Sequence, residues 1–486
     1  MTFNRNQLIL FGLIAHLLAA FFSVGFHHCD EKFQIFEFAG YKLGLNNSQD
    51  LPWEFHYKMR SGIQPFVVFV FTKTIWAFYH ASPFFVAFMV RLFQALISFY
   101  ACIELFKLFE NEIKSENSKR LILYFLILGW CMPYLHVRFS SETFSSALFL
   151  IGLTQLFRSF NSKVSIGRIA FSGLLMGLAF VCRFQILFMM FGLTMWLIFI
   201  KKPNIKIYAL LFLGGLVALM IGALVDKWLY NQWTISWWNY LDLNFFQNRA
   251  SQFGENPFYF YLTESLLLLV PPFSILVLCA IVGFWIMFKK HVITWITLPF
   301  ILLHFFVAHK ELRFLFPAIN FLPVIFALFF EKINEIKRWH FFAKSLSNKK
   351  FGSVVLIINY MLLVFFVIKP ADETTADMKT IYELTDNKPA LIIYEDLNPY
   401  NAITELNYFK RDNIKSVHVD SLSSDAIKNK TLFYYYENTY QPSLMVKNNI
   451  VFTKVYSKYP EWFKYLNFNG WLDRSGRFSI YKKTST

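Results

Sequence analysis

The sequence has few charged residues and few cysteines. Charged residues make up 16% of its 486 positions, against about 25% in a typical soluble domain. This composition excludes a disordered chain, a coiled coil and an ordinary cytosolic enzyme. Four of the five cysteines lie within or at the ends of apolar runs, and none follows residue 300. We therefore expect neither a disulfide framework nor a cysteine-based metal site.

Apolar residues make up 56% of the chain, and 61 positions are Phe. Apolar runs of about 18 residues recur, a length that can cross a bilayer. The first run lacks an A-x-A-like cleavage site, which predicts a retained helix rather than a removed signal peptide. The runs that could cross are 8–26, 84–106, 121–135, 143–158, 168–182, 184–200, 207–229, 263–288, 292–308, 314–330 and 351–369. The sequence thus predicts a polytopic α-helical membrane protein.

The net charge of +16 would suggest a nucleic-acid partner on a soluble protein. Here, Arg5 and the loops between the apolar runs hold 19 basic and five acidic residues, which accounts for +14 of the total. These loops are residues 107–120, 158–168, 201–206, 289–290 and 331–350. The positive-inside rule places them in the cytoplasm. The charge therefore predicts orientation, and we expect no nucleic-acid partner.

The apolar stretch 64–80 needs separate treatment. An odd number of crossings must separate the outer loop 27–63 from the cytoplasmic loop 107–120, so 64–80 and 84–106 cannot both span. The stretch 64–80 is the shorter and more polar of the two, and we expect a re-entrant or surface-lying helix on the outer side. About eleven crossings result, with the N-terminus inside and the tail outside.

Residues 370–486 differ in composition from the rest of the chain. Their charge is balanced, and short β-rich runs at 390–394, 432–436, 450–456 and 477–482 alternate with polar segments. This pattern predicts a small soluble α/β or β-rich domain on the outer face. Residues 1–369 are then the membrane domain, with an outer loop over 27–83. We find no internal repeat and no inverted pair of broken helices, which many transporters have.

Two adjacent carboxylates, Asp30 and Glu31, follow the first predicted membrane helix. Carboxylates near an apolar, low-dielectric region suit a general base with a tuned pKa. The alternative is a solvated helix end that caps the next segment. The neighbouring His27 and His28 lack a third ligand in the pattern, so we predict no metal.

Residues 51–65 combine aromatic rings with charges, including Trp53, Glu54 and Arg60. Sugar sites combine aromatic faces with a few placed polar groups. The alternative is an aromatic belt at the membrane interface with snorkelling basic side chains.

Residues 309–317 carry the sharpest pattern, with three potential cations beside Glu311 in an apolar region. They are His309, Lys310 and Arg313. Charges at membrane depth are expensive and usually functional. Arg gives bidentate contacts to phosphate, and Lys supplies a point charge. The alternative is a short loop whose charges all lie in water. Glu142 and Arg183, in other short outer turns, are further candidates.

These motifs resemble the GT-C class of glycosyltransferases that use polyprenyl-phosphate sugars, and within it the eukaryotic α-mannosyltransferases of N-glycan and GPI-anchor assembly. That group shows HPDE…FQ…E…H, then TWE, then HKE-[ED]-RF-x-x-P. The matching residues are His28, Asp30, Glu31, Phe33, Gln34, Glu37, Trp53, Glu54, His309, Lys310, Glu311, Arg313, Phe314 and Pro317. Cys29 replaces Pro, Leu312 replaces an acidic residue, and Gly40-Tyr41 replaces Ala-His. The resemblance covers residues 20–330.

The resemblance implies an inverting transfer of a sugar, expected to be mannose, from a polyprenyl-phosphate donor to a hydroxyl of a glycan or glycolipid at the outer face. It implies no cofactor and no metal. Asp30 would be the base, assisted by Glu31, and His309, Lys310 and Arg313 would stabilise the departing phosphate. The residues assigned to the sugar or acceptor are His28, Trp53, Glu54, Arg60, Glu142 and Arg183.

Two other functions stay open at this point. One is a transporter or flippase for lipid-linked sugars, and the other is a non-catalytic membrane assembly subunit. We expect a bacterial inner membrane with a periplasmic active side, and the ER membrane is the alternative.

Overall fold

A computed structural model describes most of the chain. The described residues are 3–161, 165–268, 273–336, 349–385, 388–395, 397–401, 404–422, 430–437, 444–447, 450–457, 461–467, 470 and 478–484. They form a largely helical protein with one small C-terminal sheet, as the sequence predicts. The basic residues Lys163, Lys337, Arg338 and Lys344, residues 269–272 of the predicted run 263–288 and the predicted strand residue 477 lie outside the described residues.

The chain divides into two compact units. The first, which we call the membrane unit, comprises Met1–Ser23, Tyr57–Phe71 and Ala87–Lys369. The second, the sheet unit, comprises Val24–His56, Thr72–Val86 and Pro370–Thr486. The first outer loop thus contributes to both units. That residues 1–369 are the catalytic membrane domain and residues 370–486 a separate soluble domain stays a prediction.

Helices make up most of the described structure. In chain order they are α1 Arg5–Phe22, α2 Glu37–Leu43, α3 Trp53–His56, α4 Ile63–Phe78, α5 Pro83–Phe109, α6 Glu116–Leu128, α7 Met132–His136, α8 Ser141–Asn161, α9 Ile166–Cys182, α10 Ile186–Trp196, α11 Ile205–Tyr230, α12 Ser236–Leu241, α13 Phe260–Leu268, α14 Phe273–Met287, α15 Val292–Phe306, α16 Phe316–Ile319, α17 Leu322–Glu335, α18 Lys349–Ile368 and α19 Glu373–Thr385. Each predicted apolar run coincides with one helix or with consecutive helices.

Three described helices are long and apolar enough to cross a bilayer by length and composition. They are Arg5–Phe22, Pro83–Glu112 and Ile205–Tyr230. A fourth span results if the bent pair Leu312–Ile319 and Leu322–Glu335, which meet at 63°, counts as one. Six further apolar helices are shorter: Ile63–Phe78, Ile166–Cys182, Ile186–Lys201, Phe273–Met287, Val292–Phe306 and Gly352–Ile368. The count of about eleven crossings and the re-entrant helix over 64–80 stay predictions.

The apolar runs 121–135 and 314–330 are broken helices with a proline at the break. The run 121–135 divides into α6 and α7, and the run 314–330 divides into a 3₁₀ turn followed by α16 and α17. Proline occupies the first turn of α7, α16 and α17. Because proline has no N–H and fixes φ, it is favoured where a helix begins. Hydropathy does not report such breaks.

The sheet unit contains a six-stranded sheet in the order β2-β1-β3-β6-β5-β4. The strands are β1 Ala390–Tyr394, β2 Ile414–His418, β3 Thr431–Glu437, β4 Leu444–Lys447, β5 Ile450–Ser457 and β6 Phe478–Lys483. Strands β2, β1 and β3 are parallel neighbours, and β3, β6, β5 and β4 pair antiparallel. Leu391, Tyr434, Phe452 and Tyr481 form part of its buried core. The prediction of a small C-terminal α/β or β-rich domain is confirmed in its sheet, whereas its solubility and its position on the outer face stay predictions.

The same unit holds the start of the first outer loop, which folds as a π-helix over Glu31–Phe36 followed directly by α2. The Phe36 ring packs on Tyr408 and Phe409, with ring centroids 5.3 and 5.5 Å apart. Single π-turns are uncommon and occur frequently at functional sites. The packing fixes this segment against the chain around residue 408.

Candidate active site

The membrane unit brings six charged or titratable residues together at the ends of its helices, and we call them the arginine–glutamate cluster. Glu142 lies in the first turn of α8, Arg183 caps α9, and the other four lie between α15 and α16. The members are Glu142, Arg183, His309, Lys310, Glu311 and Arg313.

A buried carboxylate, Glu142, joins two arginines. Its Oε1 atom is 3.0 Å from Nη1 of Arg183 and 3.6 Å from Nη1 of Arg313. Glu142 is 1% exposed and Arg183 is 5% exposed. Both guanidinium groups also lie near the Phe314 ring, at 4.9 and 5.5 Å from its centroid. Because a buried charge is costly without a partner, these contacts fix the two arginines in place.

A second carboxylate, Glu311, accepts two hydrogen bonds from Arg313. Nε of Arg313 donates to Oε2 of Glu311, and Nη2 donates to Oε1 at 3.0 Å. The Oε1 atom also accepts from Nε2 of His309 at 3.0 Å. This bidentate geometry is the strong form of an Arg–carboxylate pair. The two arginines and two glutamates of the cluster therefore balance in charge.

Lys310 is the buried cation that these carboxylates leave uncompensated. It is 4% exposed, and its Nζ donates to the backbone oxygen of Asn256 at 2.9 Å. Among the described residues no carboxylate forms an ion pair with Lys310. Desolvation lowers the pKa of its amine. A buried ammonium group without an anionic partner is suited to an anionic ligand.

Arg183 carries a buried hydrogen-bond donor that is not satisfied by any described residue. Its Nη1 atom donates to Ser141 Oγ at 3.2 Å, whereas its buried Nη2 atom has no hydrogen-bond partner among the described residues. Buried donors are normally satisfied, so each exception calls for an explanation. A phosphate oxygen at this position would accept from it. Lys310 and Arg183 are thus the groups best suited to hold a phosphate.

The sheet unit positions the two predicted carboxylates differently. Glu31 is 3% exposed, and its Oε1 atom accepts from the backbone N–H of His27 at 3.0 Å. The side chain of Asp30 is 24% exposed, and its Oδ1 atom lies 3.5 Å from Nδ1 of His28. A general base must be reachable by the proton it accepts. This geometry favours Asp30 as the base and Glu31 as a group that orients the turn.

Glu37 is fully buried and holds this segment to the C-terminal part of the same unit. Its Oε2 atom accepts from Asn46 Nδ2 at 2.8 Å and from the backbone N–H groups of Asn407 and Tyr408 at 3.1 and 3.2 Å. Burial raises the pKa of Glu37 to about 7, although these donors and the charge of Lys32 act in the opposite direction. Lys32 in turn forms an ion pair with Asp372 at 2.9 Å.

The three residues predicted from 51–65 have different environments. Glu54, in the short helix that begins at Trp53, is buried and accepts from Nε2 of Gln34 at 3.1 Å. This contact joins the first two motifs within the sheet unit. Arg60 belongs to the membrane unit, where its guanidinium lies 5.5 Å from the centroid of the Tyr240 ring. Their roles at a sugar or acceptor remain predictions.

The structure also groups residues that sequence reasoning separated. Glu142, assigned above to the sugar or acceptor, contacts Arg313, which was assigned to the phosphate, and Arg183 joins this pair through Glu142. Asn256, a lesser candidate in the predicted outer loop over 230–262, holds both the backbone and the ammonium group of Lys310. For Glu142 one signal was available: a Glu at the end of an apolar helix needs a cation partner.

Comparison with known proteins identifies relatives over most of the chain. The model of the Alg9-like mannosyltransferase family matches residues 7–463. The chain is 24% identical over 364 residues to GPI alpha-1,2-mannosyltransferase 3 of Bos taurus, covering 74% of this chain and 63% of that protein. It is 24% identical over 420 residues to GPI mannosyltransferase 3 of Candida albicans, covering 85% and 78%. For the corresponding Homo sapiens protein, the chain spans 58% of that protein's length at 24% identity.

Two solved structures have a similar fold. One is the crystal structure of ArnT from Cupriavidus metallidurans bound to undecaprenyl phosphate, with a TM-score of 0.57 and 10% identity, covering 99% of this chain and 98% of that one. The apo form of ArnT gives a TM-score of 0.52. The fold is therefore of the GT-C type, as predicted from the motifs. Since the family model matches almost the whole chain, the protein belongs to the Alg9-like mannosyltransferase family.

Proposed function

We propose that the protein is an inverting glycosyltransferase that moves mannose from a polyprenyl-phosphate donor to a hydroxyl of a glycan or glycolipid. The membership of a mannosyltransferase family supports the reaction type. The fold shared with ArnT, which was solved with undecaprenyl phosphate, supports a lipid phosphate as the leaving group. The observation that carries the proposal is the buried Lys310, which forms no ion pair with a described carboxylate and lies in the same short loop as Arg313.

In the proposed reaction, the acceptor oxygen forms a bond to the anomeric carbon while the bond from that carbon to the phosphate oxygen breaks. The proton of the acceptor hydroxyl passes to the carboxylate of Asp30. The electron pair of the broken bond leaves with the lipid phosphate, whose added negative charge is stabilised by Lys310, Arg183 and Arg313. No cofactor and no metal take part in this scheme.

We place the reaction on the outer face of the membrane. The basic loops favour a cytoplasmic position, and the candidate residues lie in the loops assigned to the opposite side. In a bacterium this is the periplasmic side of the inner membrane, where the carrier would be a bacterial polyprenyl phosphate. The arrangement puts donor lipid, acceptor and chemistry on one side of the bilayer.

The test is sugar transfer by the purified full-length protein from synthetic polyprenyl-phosphate mannose to candidate acceptors, followed by mass spectrometry. Lys310→Met keeps the aliphatic stem and removes the charge. We expect the KM for the donor to rise at least about tenfold, equivalent to ~1.4 kcal/mol of lost binding. The control is Lys114→Met, because Lys114 is exposed and pairs with Glu335 in the basic loops. Unchanged donor dependence in Lys310→Met would contradict the phosphate assignment, and absence of transfer by the wild type would contradict the function.

A further inference from the structure

His28, Cys29 and Asp30 place three different metal-ligating atoms close together. Nδ1 of His28 lies 3.6 Å from Sγ of Cys29 and 3.5 Å from Oδ1 of Asp30, and Sγ lies 3.9 Å from Oδ1. All three residues are partly exposed. The sequence pattern predicted no metal, because consecutive residues seldom ligate one ion. The start of a helix at Cys29 turns the three side chains toward one another instead.

The size of this triangle matches a transition-metal site. A cation equidistant from the three atoms in their plane would lie roughly 2.1 Å from each, and zinc bonds to nitrogen, oxygen and sulfur are about 2.0 to 2.3 Å long. Tetrahedral zinc would place these ligands about 3.4 to 3.6 Å apart. The observed edges of 3.5, 3.6 and 3.9 Å require only small side-chain movements. An imidazole, a thiolate and a carboxylate together favour Zn²⁺ over Mg²⁺ or Ca²⁺.

We infer that His28, Cys29 and Asp30 form a three-ligand site for Zn²⁺ that includes the carboxylate of the proposed base. On binding, the thiol loses its proton to the buffer and the thiolate bonds to the metal. The hydrogen bond from the backbone N–H of Asp30 to Nδ1 of His28, now 3.2 Å, is exchanged for the metal bond. A fourth position stays open to water. The site needs the thiol of Cys29, which stands where the resembled family motif has Pro.

An occupied site changes the chemistry of Asp30. A carboxylate oxygen bonded to Zn²⁺ is a much weaker proton acceptor than a free one, since the metal stabilises the deprotonated form. Zn²⁺ would therefore inhibit sugar transfer reversibly, and a chelator would restore it. This consequence rests on the proposed function, whereas metal binding itself does not.

The binding test uses Co²⁺ as a spectroscopic probe on the purified full-length protein. We expect a thiolate-to-cobalt charge-transfer absorption at one equivalent, which Zn²⁺ displaces. Cys29→Ala should abolish the band, and Asp30→Asn should weaken Co²⁺ binding at least tenfold. The matched control is Cys279→Ala, because Cys279 is an exposed free thiol and lies in α14. A wild type without the band, or a band that survives Cys29→Ala, would overturn the site.

The inhibition test then measures mannose transfer with Zn²⁺ and with EDTA. For the wild type and for Cys279→Ala, we expect the rate with Zn²⁺ to be at least tenfold lower than the rate with EDTA. For Cys29→Ala, we expect the two rates to be nearly equal. Equal Zn²⁺ sensitivity of Cys29→Ala would overturn the inhibitory role. If the protein transfers no sugar but shows the cobalt band, the proposed function fails and the metal site stands.

Discussion

At the scale of single residues, the candidate site is marked by buried charges. Glu142, Arg183 and Lys310 are each at most 5% exposed, and a lone charge at such depth costs several kcal/mol. The carboxylates offset the arginines, and Lys310 is without a described carboxylate partner. Asp30 is different, since its side chain is partly exposed. The proposed phosphate-binding groups are thus buried and fixed, whereas the proposed base is accessible.

Asp30→Asn tests the base directly. The amide has the same shape but cannot accept the proton, so we expect the rate of sugar transfer to fall at least about 100-fold. Membrane insertion and the elution profile of the purified protein should not change. Glu31→Gln is the comparison, because an amide oxygen can still accept from the His27 N–H. We expect it to lose less activity, and an Asp30→Asn enzyme as fast as wild type would eliminate Asp30 as the base.

Glu37 predicts a pH dependence of stability. Burial raises the pKa of Glu37 to about 7, so the folded state binds a proton that the unfolded state has already released. Stability from this group is complete below about pH 4.5 and is lost as the pH rises through about 7, by an amount on the order of 3 kcal/mol. The unfolding midpoint of the wild type, followed by thermal fluorimetry in detergent, should therefore fall between pH 5 and pH 8.

Glu37→Gln should flatten that pH profile. Three donors converge on Oε2 of Glu37, so an amide oxygen placed there keeps them while the charge is removed. Glu383→Gln is the control, because Glu383 is 64% exposed and pairs with Lys379. We expect the control to keep the slope of the wild type. A slope that survives in Glu37→Gln would assign the pH dependence to another group.

At the scale of secondary-structure elements, small residues determine how the helices of the membrane unit pack. Gly214 of α11 faces α9 so closely that an added Cβ would lie 2.1 Å from the backbone oxygen of Ala170. An added Cβ on the neighbouring Gly215 would lie in open space. Small residues allow this close backbone approach between membrane helices. The apolar pattern of α11 predicted its length but not this difference between adjacent glycines.

Gly214→Ala and Gly215→Ala form a matched pair. The first methyl group must push α9 and α11 apart, and overpacking of this kind costs roughly 1 to 3 kcal/mol. We expect a lower thermal midpoint and less monodisperse protein on size-exclusion chromatography for Gly214→Ala. Gly215→Ala should behave like the wild type. Equal midpoints for the two variants would show that the helices separate without cost.

The sequence predicted the helices and strands better than it predicted which residues contact one another. Hydropathy identified the helices because burial in lipid depends on local composition, and four strands of the sheet unit fall at the predicted β-rich runs. The breaks at Pro133 and Pro317 were missed because an apolar average is insensitive to one missing N–H. The contact between Glu142 and Arg313 joins residues far apart in the chain, and no local pattern encodes it.

Orientation is a property of the whole molecule, and it follows from charges that lie far from the candidate site. The predicted odd number of crossings would put the basic loops and the C-terminal tail on opposite sides. Lys202→Cys and Lys415→Cys, both at exposed positions, can be placed in a chain with Cys29, Cys131 and Cys279 replaced, because these thiols are partly or fully exposed. We expect an impermeant thiol reagent to label residue 415 in spheroplasts and residue 202 only after permeabilisation. Labelling of both from one side would exclude the odd count.

The paired arginines of the cluster also bear on turnover. In the proposed reaction, Arg183 and Arg313 would keep Glu142 and Glu311 as partners when the lipid phosphate leaves, so the vacated site would carry little excess positive charge. The anionic product would then be held mainly by Lys310, and its departure would cost far less than from three unmatched cations. On this proposal the glutamates lower the affinity for the spent carrier lipid, which favours its exchange for a fresh donor.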